Sequence, residues 1–308
     1  MTPAGHLLSG YLVGDWLAAG REPRSRRIIL ATALAAGLAP DGDVVFGLLG
    51  GFWGASIHRG FTHSLLAALG FGLCAAALSR RHRRVLFAAG FLGVLSHIFW
   101  DTLNVWGVRL FWPAFWYLRG NLVHERDLWA LAIVLVASVL TWRGRRRAAV
   151  VWLLIAIPVY LLTQTLWRHH ARQLARTDLA GRRADVYPTG QIRCAWIAVS
   201  AGVSDLAVHC VPTPWAARLT PISQVPARED FFTRASRRSP AVREFLVKSA
   251  FSYAEEQPTP DGGARVVWRD LREAYEQGPG GVPTGLHVLL SRDGAILSER
   301  HQWWLKLW

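Results

Sequence analysis

Apolar residues fall in blocks along the first 167 positions and thin out afterwards. Leu65–Leu78, Val85–Val105, Leu128–Trp142 and Ala148–Trp167 are nearly continuous apolar runs. Ala4–Ala19 and Ile28–Ala39 are further runs; Pro40-Asp41-Gly42-Asp43 interrupts the second before Val44–Leu49 resumes it. A bilayer core about 30 Å thick needs roughly 20 helical residues, with a range of about 17–25. The pattern therefore predicts an α-helical polytopic membrane domain of about five to six hydrophobic helices, several of them needing tilt or border residues to span. Beyond residue 185 the pattern changes. Ile192–Ser200, Asp205–Val211, Arg265–Arg269 and Leu286–Leu290 predict strands, and Pro240–Glu255 a helix. Turn signals at Thr259-Pro260-Asp261-Gly262-Gly263 and at Gly278 to Gly281 separate them. The expected organisation is a helical membrane domain over 1–167, a basic linker over 168–184 and a small soluble α+β domain over 185–308.

Composition agrees with the blocks: 52% of the 308 residues are hydrophobic and the mean hydropathy is +0.20. A net charge of +14 raises the question of nucleic acid. The placement of the charge answers against it. Lys248 and Lys306 are the only lysines, and arginines cluster at Arg21 to Arg27, Arg80 to Arg84 and Arg143 to Arg147, between apolar blocks. Basic residues in short loops are retained on the cytoplasmic face. With those three loops inside, the apolar segments alternate in direction and the tail from His169 emerges outside the cytoplasm, although Arg168, Arg172 and Arg176 run against that placement. Ala4–Ala19 lacks a basic n-region and contains Asp15, so it is expected to be retained rather than cleaved.

The cysteines bear on the same question. If Gly202 centres a turn between Ile192–Ser200 and Asp205–Val211, Cys194 faces Cys210 across an antiparallel ladder. Opposed residues lie about 4.5–5.5 Å apart there, within disulfide range. A bridge would require an oxidising compartment, and two buried thiols are the alternative. Cys74, in an apolar helix, is expected only to pack.

Ionisable residues in membrane segments are costly, which makes each a functional candidate. His6 opens the first segment, Asp41 and Asp43 follow the second, His58 and His63 flank the start of the third, and His97 and Asp101 lie in the fourth. The arginine-based topology puts all of them toward the non-cytoplasmic side. His97 and Asp101, four residues apart, share a helix face and offer the nitrogen and oxygen donors that suit zinc or a similar ion. In His58-Arg59-Gly60-Phe61-Thr62-His63, Thr62 is the expected N-cap of the third helix, and Arg59 can fork onto a phosphate or carboxylate. Pro40 and Gly42 break a helix and set two carboxylates close together. Each cluster alone has a bland reading: a His–Asp hydrogen bond, an interfacial loop, a surface turn. Their joint position favours a metal site.

Pro40-Asp41-Gly42-Asp43, then His58-Arg59-Gly60-Phe61-Thr62-His63-Ser64, then Ser96-His97 through Asp101-Thr102-Leu103-Asn104, and Gly107-Val108-Arg109-Leu110-Phe111-Trp112-Pro113 resemble the YdjM/YbcI-type membrane-bound metal-dependent hydrolases, the DUF457 family. The resemblance covers roughly residues 1–165. It implies a bacterial inner-membrane protein with hydrolase activity. The His97-to-Asp101 spacing is also similar to an element of zinc-dependent phospholipase C and P1-type nucleases. That likeness implies His6, Asp41, His63, His97 and Asp101 as ligands of a divalent metal, zinc first. The chain lacks that family's N-terminal tryptophan, which implies one or two ions rather than three. Among His124, Glu125 and Asp127, the match to an acidic position of the membrane family is open.

The expected function is hydrolysis of a lipid or lipid-linked ester or phosphoester. Asp43 would act as general base or second-metal ligand, and His58 and Arg59 would hold the oxyanion or phosphate. A transporter using buried His and Asp is the alternative, but no second copy of the Pro40–Asp43 break is seen. A non-catalytic scaffold is the other. In the tail, His209, His287 and His301 are isolated and expected to be structural, while Trp303, Trp304 and Trp308 suit either a membrane interface or a core.

Overall fold

The computed structural model describes residues 2–49, 59–190, 194–227, 229–272 and 285–301. The chain forms two compact units, residues 1–43 with 57–166 and residues 44–56 with 167–308. His58, Gly278 to Gly281, Trp303, Trp304 and Trp308 lie outside the described residues.

The first unit is helical. α1 (Pro3–Leu17) opens at Thr2, whose hydroxyl accepts from the Gly5 amide, with Pro3 at the first helical position. α2 (Pro23–Leu38) runs into a 3-10 segment, Ala39–Leu49, where Pro40 and Gly42 disfavour a continuing α-helix. A 3-10 turn at Phe61–His63 leads into α3 (Leu65–Ala77), followed by α4 (Arg83–Leu103), α5 (Leu128–Trp142) and α6 (Arg146–Asp178). The N-cap of α3 is Ser64, not Thr62 as expected: Ser64 is extended and its hydroxyl accepts from the Ala67 amide at 3.1 Å. The Thr62 hydroxyl is occupied elsewhere. α6 passes Trp167 and ends at Asp178, so much of the stretch expected as a linker is helix.

Among the described residues, α4 and α6 are long and apolar enough to cross a membrane, and α3 and α5 are shorter apolar helices. Small residues line the inner faces. A Cβ on Gly93 of α4 would lie 2.8 Å from the Ala36 methyl and 2.9 Å from the Ala33 carbonyl of α2. A Cβ on Gly10 of α1 would lie 2.7 Å from that same carbonyl. Helices in lipid associate through such close backbone approach. The outward faces carry the large apolar side chains, among them Leu66 and Leu73 on α3, Leu135 on α5, and Leu154, Ile155 and Leu162 on α6. Apolar outside with small and polar residues inside is the arrangement a lipid surround favours. At one end of the unit, the buried Asp15 of α1 accepts from Arg26 Nη2 of α2 at 2.8 Å and from Arg146 Nε of α6 at 2.6 Å.

The second unit holds two antiparallel meanders. β1 (Arg183–Pro188), β2 (Trp196–Ala201), β3 (Asp205–Val211) and β4 (Thr220–Pro226) pair in sequence order, as do β5 (Ser252–Pro258), β6 (Ala264–Asp270), β7 (Leu286–Leu290) and β8 (Ile296–His301). Ala171 and Ala175 at the end of α6 pack on Val186, Trp196, Ala198 and Val211 of the first sheet. Between the sheets in sequence come α7 (Phe231–Ser236) and α8 (Pro240–Lys248), whose Val242 and Phe245 cover Val266, Trp268 and Val288 of the second.

The second unit departs from expectation in two further places. The helix expected to reach Glu255 stops at Lys248, and Ser252–Pro258 pairs with β6 instead, Ala254 opposite Trp268. Ala, Glu and Gln favour helix locally, but the strand partner overrides them. The Cys194–Cys210 disulfide forms, with Cα atoms 5.6 Å apart, but not across the expected register. Ala201 pairs with Leu206 and Ile197 with Cys210, so Cys194 lies just before β2. The turn is centred beyond Gly202.

Candidate metal centre

Three elements of the first unit bring polar side chains together. Asp41 comes from the 3-10 segment after α2, His63 from the 3-10 turn before α3, and His97 and Asp101 from one face of α4. One ligand atom from each of these four residues lies within 4.8 Å of all the others. His63 and His97 are fully buried and Asp101 nearly so. Asp41 keeps about a quarter of its side-chain surface open, which leaves an approach from that side.

The distances fit a small cation. His63 Nε2 lies 3.1 Å from His97 Nε2, 3.7 Å from Asp41 Oδ1 and 3.5 Å from Asp101 Oδ2. His97 Nε2 lies 3.5 Å from Asp41 Oδ1 and 3.6 Å from Asp101 Oδ2. Donors held about 2.0–2.2 Å from a tetrahedral ion sit roughly 3.3–3.6 Å from one another.

The surrounding hydrogen bonds fix the proton positions. His97 Nδ1 contacts the Gly37 carbonyl at 2.8 Å. A carbonyl only accepts, so Nδ1 carries a proton, and in the neutral ring Nε2 presents a lone pair. The Thr62 hydroxyl donates to Asp43 Oδ2, leaving its oxygen to accept from His63 Nδ1 at 3.0 Å. The neutral His63 ring therefore also points an Nε2 lone pair inward. Arg59 offsets part of the charge on Asp101, and a cation among the two imidazole nitrogens and two carboxylates would offset the rest. The residues present fit a metal.

The other candidate residues fall around this group. Asp43 is buried behind His63, its Oδ2 3.6 Å from His63 Nδ1, on the side away from the converging Nε2 atoms. That is the place of an outer carboxylate that orients a histidine ligand. His6 is fully buried and stacks on His97 with ring centroids 3.6 Å apart, and its Nε2 lies 3.5 Å from Asp101 Oδ1. It borders the four-residue group without joining it. Arg59, with a left-handed backbone at φ 62, sets Nη1 3.3 Å from Asp101 Oδ2. Asp127 is occupied elsewhere: it caps α5 through the Ala130 amide at 2.9 Å and accepts from the Tyr160 hydroxyl at 2.7 Å. His124 Nδ1 accepts from the Arg126 amide. Among the described residues no second group of this kind forms, and His209 and His287 belong to strands of the other unit. Sequence reasoning missed the Gly37 carbonyl and the Thr62 bridge. Thr62, one residue before His63, was the visible signal.

Fold and site together define a helical membrane protein enclosing a buried His/Asp group able to hold a metal ion. The chain belongs to the YdjM family: the family model described as YdjM inner membrane protein matches residues 1–171, which include the whole group. No curated protein and no solved structure matches the chain.

Proposed function

We propose that Asp41, His63, His97 and Asp101 hold one divalent cation, zinc by donor set, and that the protein hydrolyses a lipid or lipid-linked ester, with a phosphoester the favoured class. The observation that carries the reading is the pair of inward Nε2 atoms 3.1 Å apart, each ring held by a hydrogen bond on its opposite nitrogen. Two imidazoles and two carboxylates are a zinc-compatible set. A cation so held supplies Lewis acidity, which activates water and polarises an ester.

The chain's own residues supply orientation and charge. Asp43 and Thr62 lock His63, and Gly37 locks His97. Arg59 brings a guanidinium beside Asp101, where it can meet an anionic oxygen of substrate. The exposed edge of Asp41 gives access. A site reached from within a membrane protein favours a lipid-borne substrate.

The same reading takes the chain as multi-pass, with the metal group near the non-cytoplasmic face and the second unit on that side. Asp15 ties two arginine-rich segments to the end of α1 opposite His6. The two positions are nine residues apart, about 13 Å along a helix at 1.5 Å per residue. The Cys194–Cys210 disulfide suits an oxidising compartment.

Metal analysis of the purified full-length protein tests the reading, beside the His97→Ala and His63→Ala/Asp101→Ala variants. One tightly held ion per chain, lost in both variants, is the expected result. Wild-type protein without stoichiometric metal, or variants that keep it, would end the proposal. A screen of lipid and phosphoester hydrolysis with the metal-loaded protein then tests the activity itself.

A further inference from the structure

The segment after α4 carries an arrangement the metal reading does not use. Val108 and Leu118 exchange backbone hydrogen bonds at 3.1 and 2.9 Å, closing a loop over residues 109–117. Gly107 permits it: φ is +65, and a Cβ there would lie 2.4 Å from the Leu118 carbonyl. The loop turns its aromatic side chains outward. Phe115 is 80% exposed, Trp116 54% and Phe111 51%. Four aromatic positions within six residues, counting Trp112, would be costly to leave in water.

The loop is also held rigid and placed. The guanidinium of Arg109, itself buried, lies over the Tyr117 ring at 4.9 Å and the Phe115 ring at 5.7 Å, and that of Arg119 lies over Tyr117 at 5.1 Å. The Arg109 amide donates to the Arg59 carbonyl, and the Leu65 amide donates to the Leu110 carbonyl. Trp112 meets Phe61 edge to face at 5.0 Å. The loop is thus stitched to the short segment that carries Arg59 and His63. It follows directly on α4, a helix long and apolar enough to cross a membrane.

We propose that residues 111–116 form an interfacial anchor, inserted among the phospholipid headgroups of the leaflet next to the metal group. Tryptophan and phenylalanine beside arginine suit that layer, where an apolar ring body and a polar edge are both satisfied. A rigid aromatic loop at the end of a spanning helix, fixed to a site at the same depth, holds that site at the membrane surface. The anchor stands whether or not the site is catalytic.

The test uses the full-length protein in nanodiscs of phosphatidylethanolamine and phosphatidylglycerol. Cys74 is replaced by alanine, and Phe115→Cys is labelled with an environment-sensitive fluorophore; the disulfide leaves Cys194 and Cys210 unreactive. The expected result is blue-shifted emission, quenched severalfold more by lipids spin-labelled near the headgroup than by aqueous iodide. Water-like emission quenched mainly by iodide overturns the proposal. So does protection from both quenchers, which would mean that protein covers the loop. Trp116→Cys, labelled the same way, gives a second reading if the first variant fails to fold.

Discussion

His63 and His97 face each other through Nε2 at 3.1 Å, and each is held from behind by a different kind of acceptor. His97 is fixed by a backbone carbonyl, that of Gly37, and His63 by a hydroxyl that is in turn fixed by Asp43. The first support is insensitive to side-chain substitution. The second can be removed without touching any of the four converging donors.

Asp43→Ala isolates that second support. The variant keeps Asp41, His63, His97 and Asp101 but removes the acceptor of the Thr62 hydroxyl. Removing an outer partner of a metal ligand typically lowers affinity about 10–100-fold. Competition with a chromophoric chelator should show a loss of that size with one ion still bound at saturation. A general-base role alone would leave affinity unchanged.

Asp15 gives an asymmetric prediction. The carboxylate is 1% exposed, while Arg26 and Arg146 are 47% and 41% exposed. Asp15→Asn removes the charge but keeps one acceptor oxygen, and both guanidiniums reach water, so its effect should be small. Arg26→Ala/Arg146→Ala strands a buried carboxylate and should cost far more, roughly 3–5 kcal/mol at most. Thermal unfolding in detergent of the two variants should rank them in that order.

The disulfide is checked by thiol counting. In denatured but unreduced protein, Cys74 alone should alkylate; after reduction all three cysteines should. Closing a loop of about 15 residues is worth roughly 3 kcal/mol in the chain-entropy account, so Cys194→Ser/Cys210→Ser should lower the unfolding temperature.

The second unit should lose stability in mild acid. Burial holds the His209 imidazole below its ordinary value of 6.5, and Arg182 nearby pushes the same way. The unfolded chain then binds the proton more readily than the folded one just below that pH. Stability is present above about pH 6.5 and declines as pH falls through the depressed folded value. His209→Gln should flatten this part of the pH profile of thermal unfolding. An unchanged slope would remove His209 as its cause.

The sequence by itself determined the helices of the first unit, because apolar runs between arginine clusters leave few alternatives in lipid, and α5 matches its run at both ends. It also determined the residue types of the site, since histidine and aspartate in apolar helices are costly without a purpose. The tertiary structure decided which of them converge. His97 and Asp101 share a face by helical periodicity, but Asp41 and His63 join them through 3-10 turns whose geometry no spacing rule gives. His6 lies one ring beyond the group because α1 stacks it on His97. The strand at Ser252–Pro258 likewise exists only because β6 is there to pair with it. Local pattern fixes what a segment can be; long-range contacts choose its partners, because their energy resides in groups far apart in the chain.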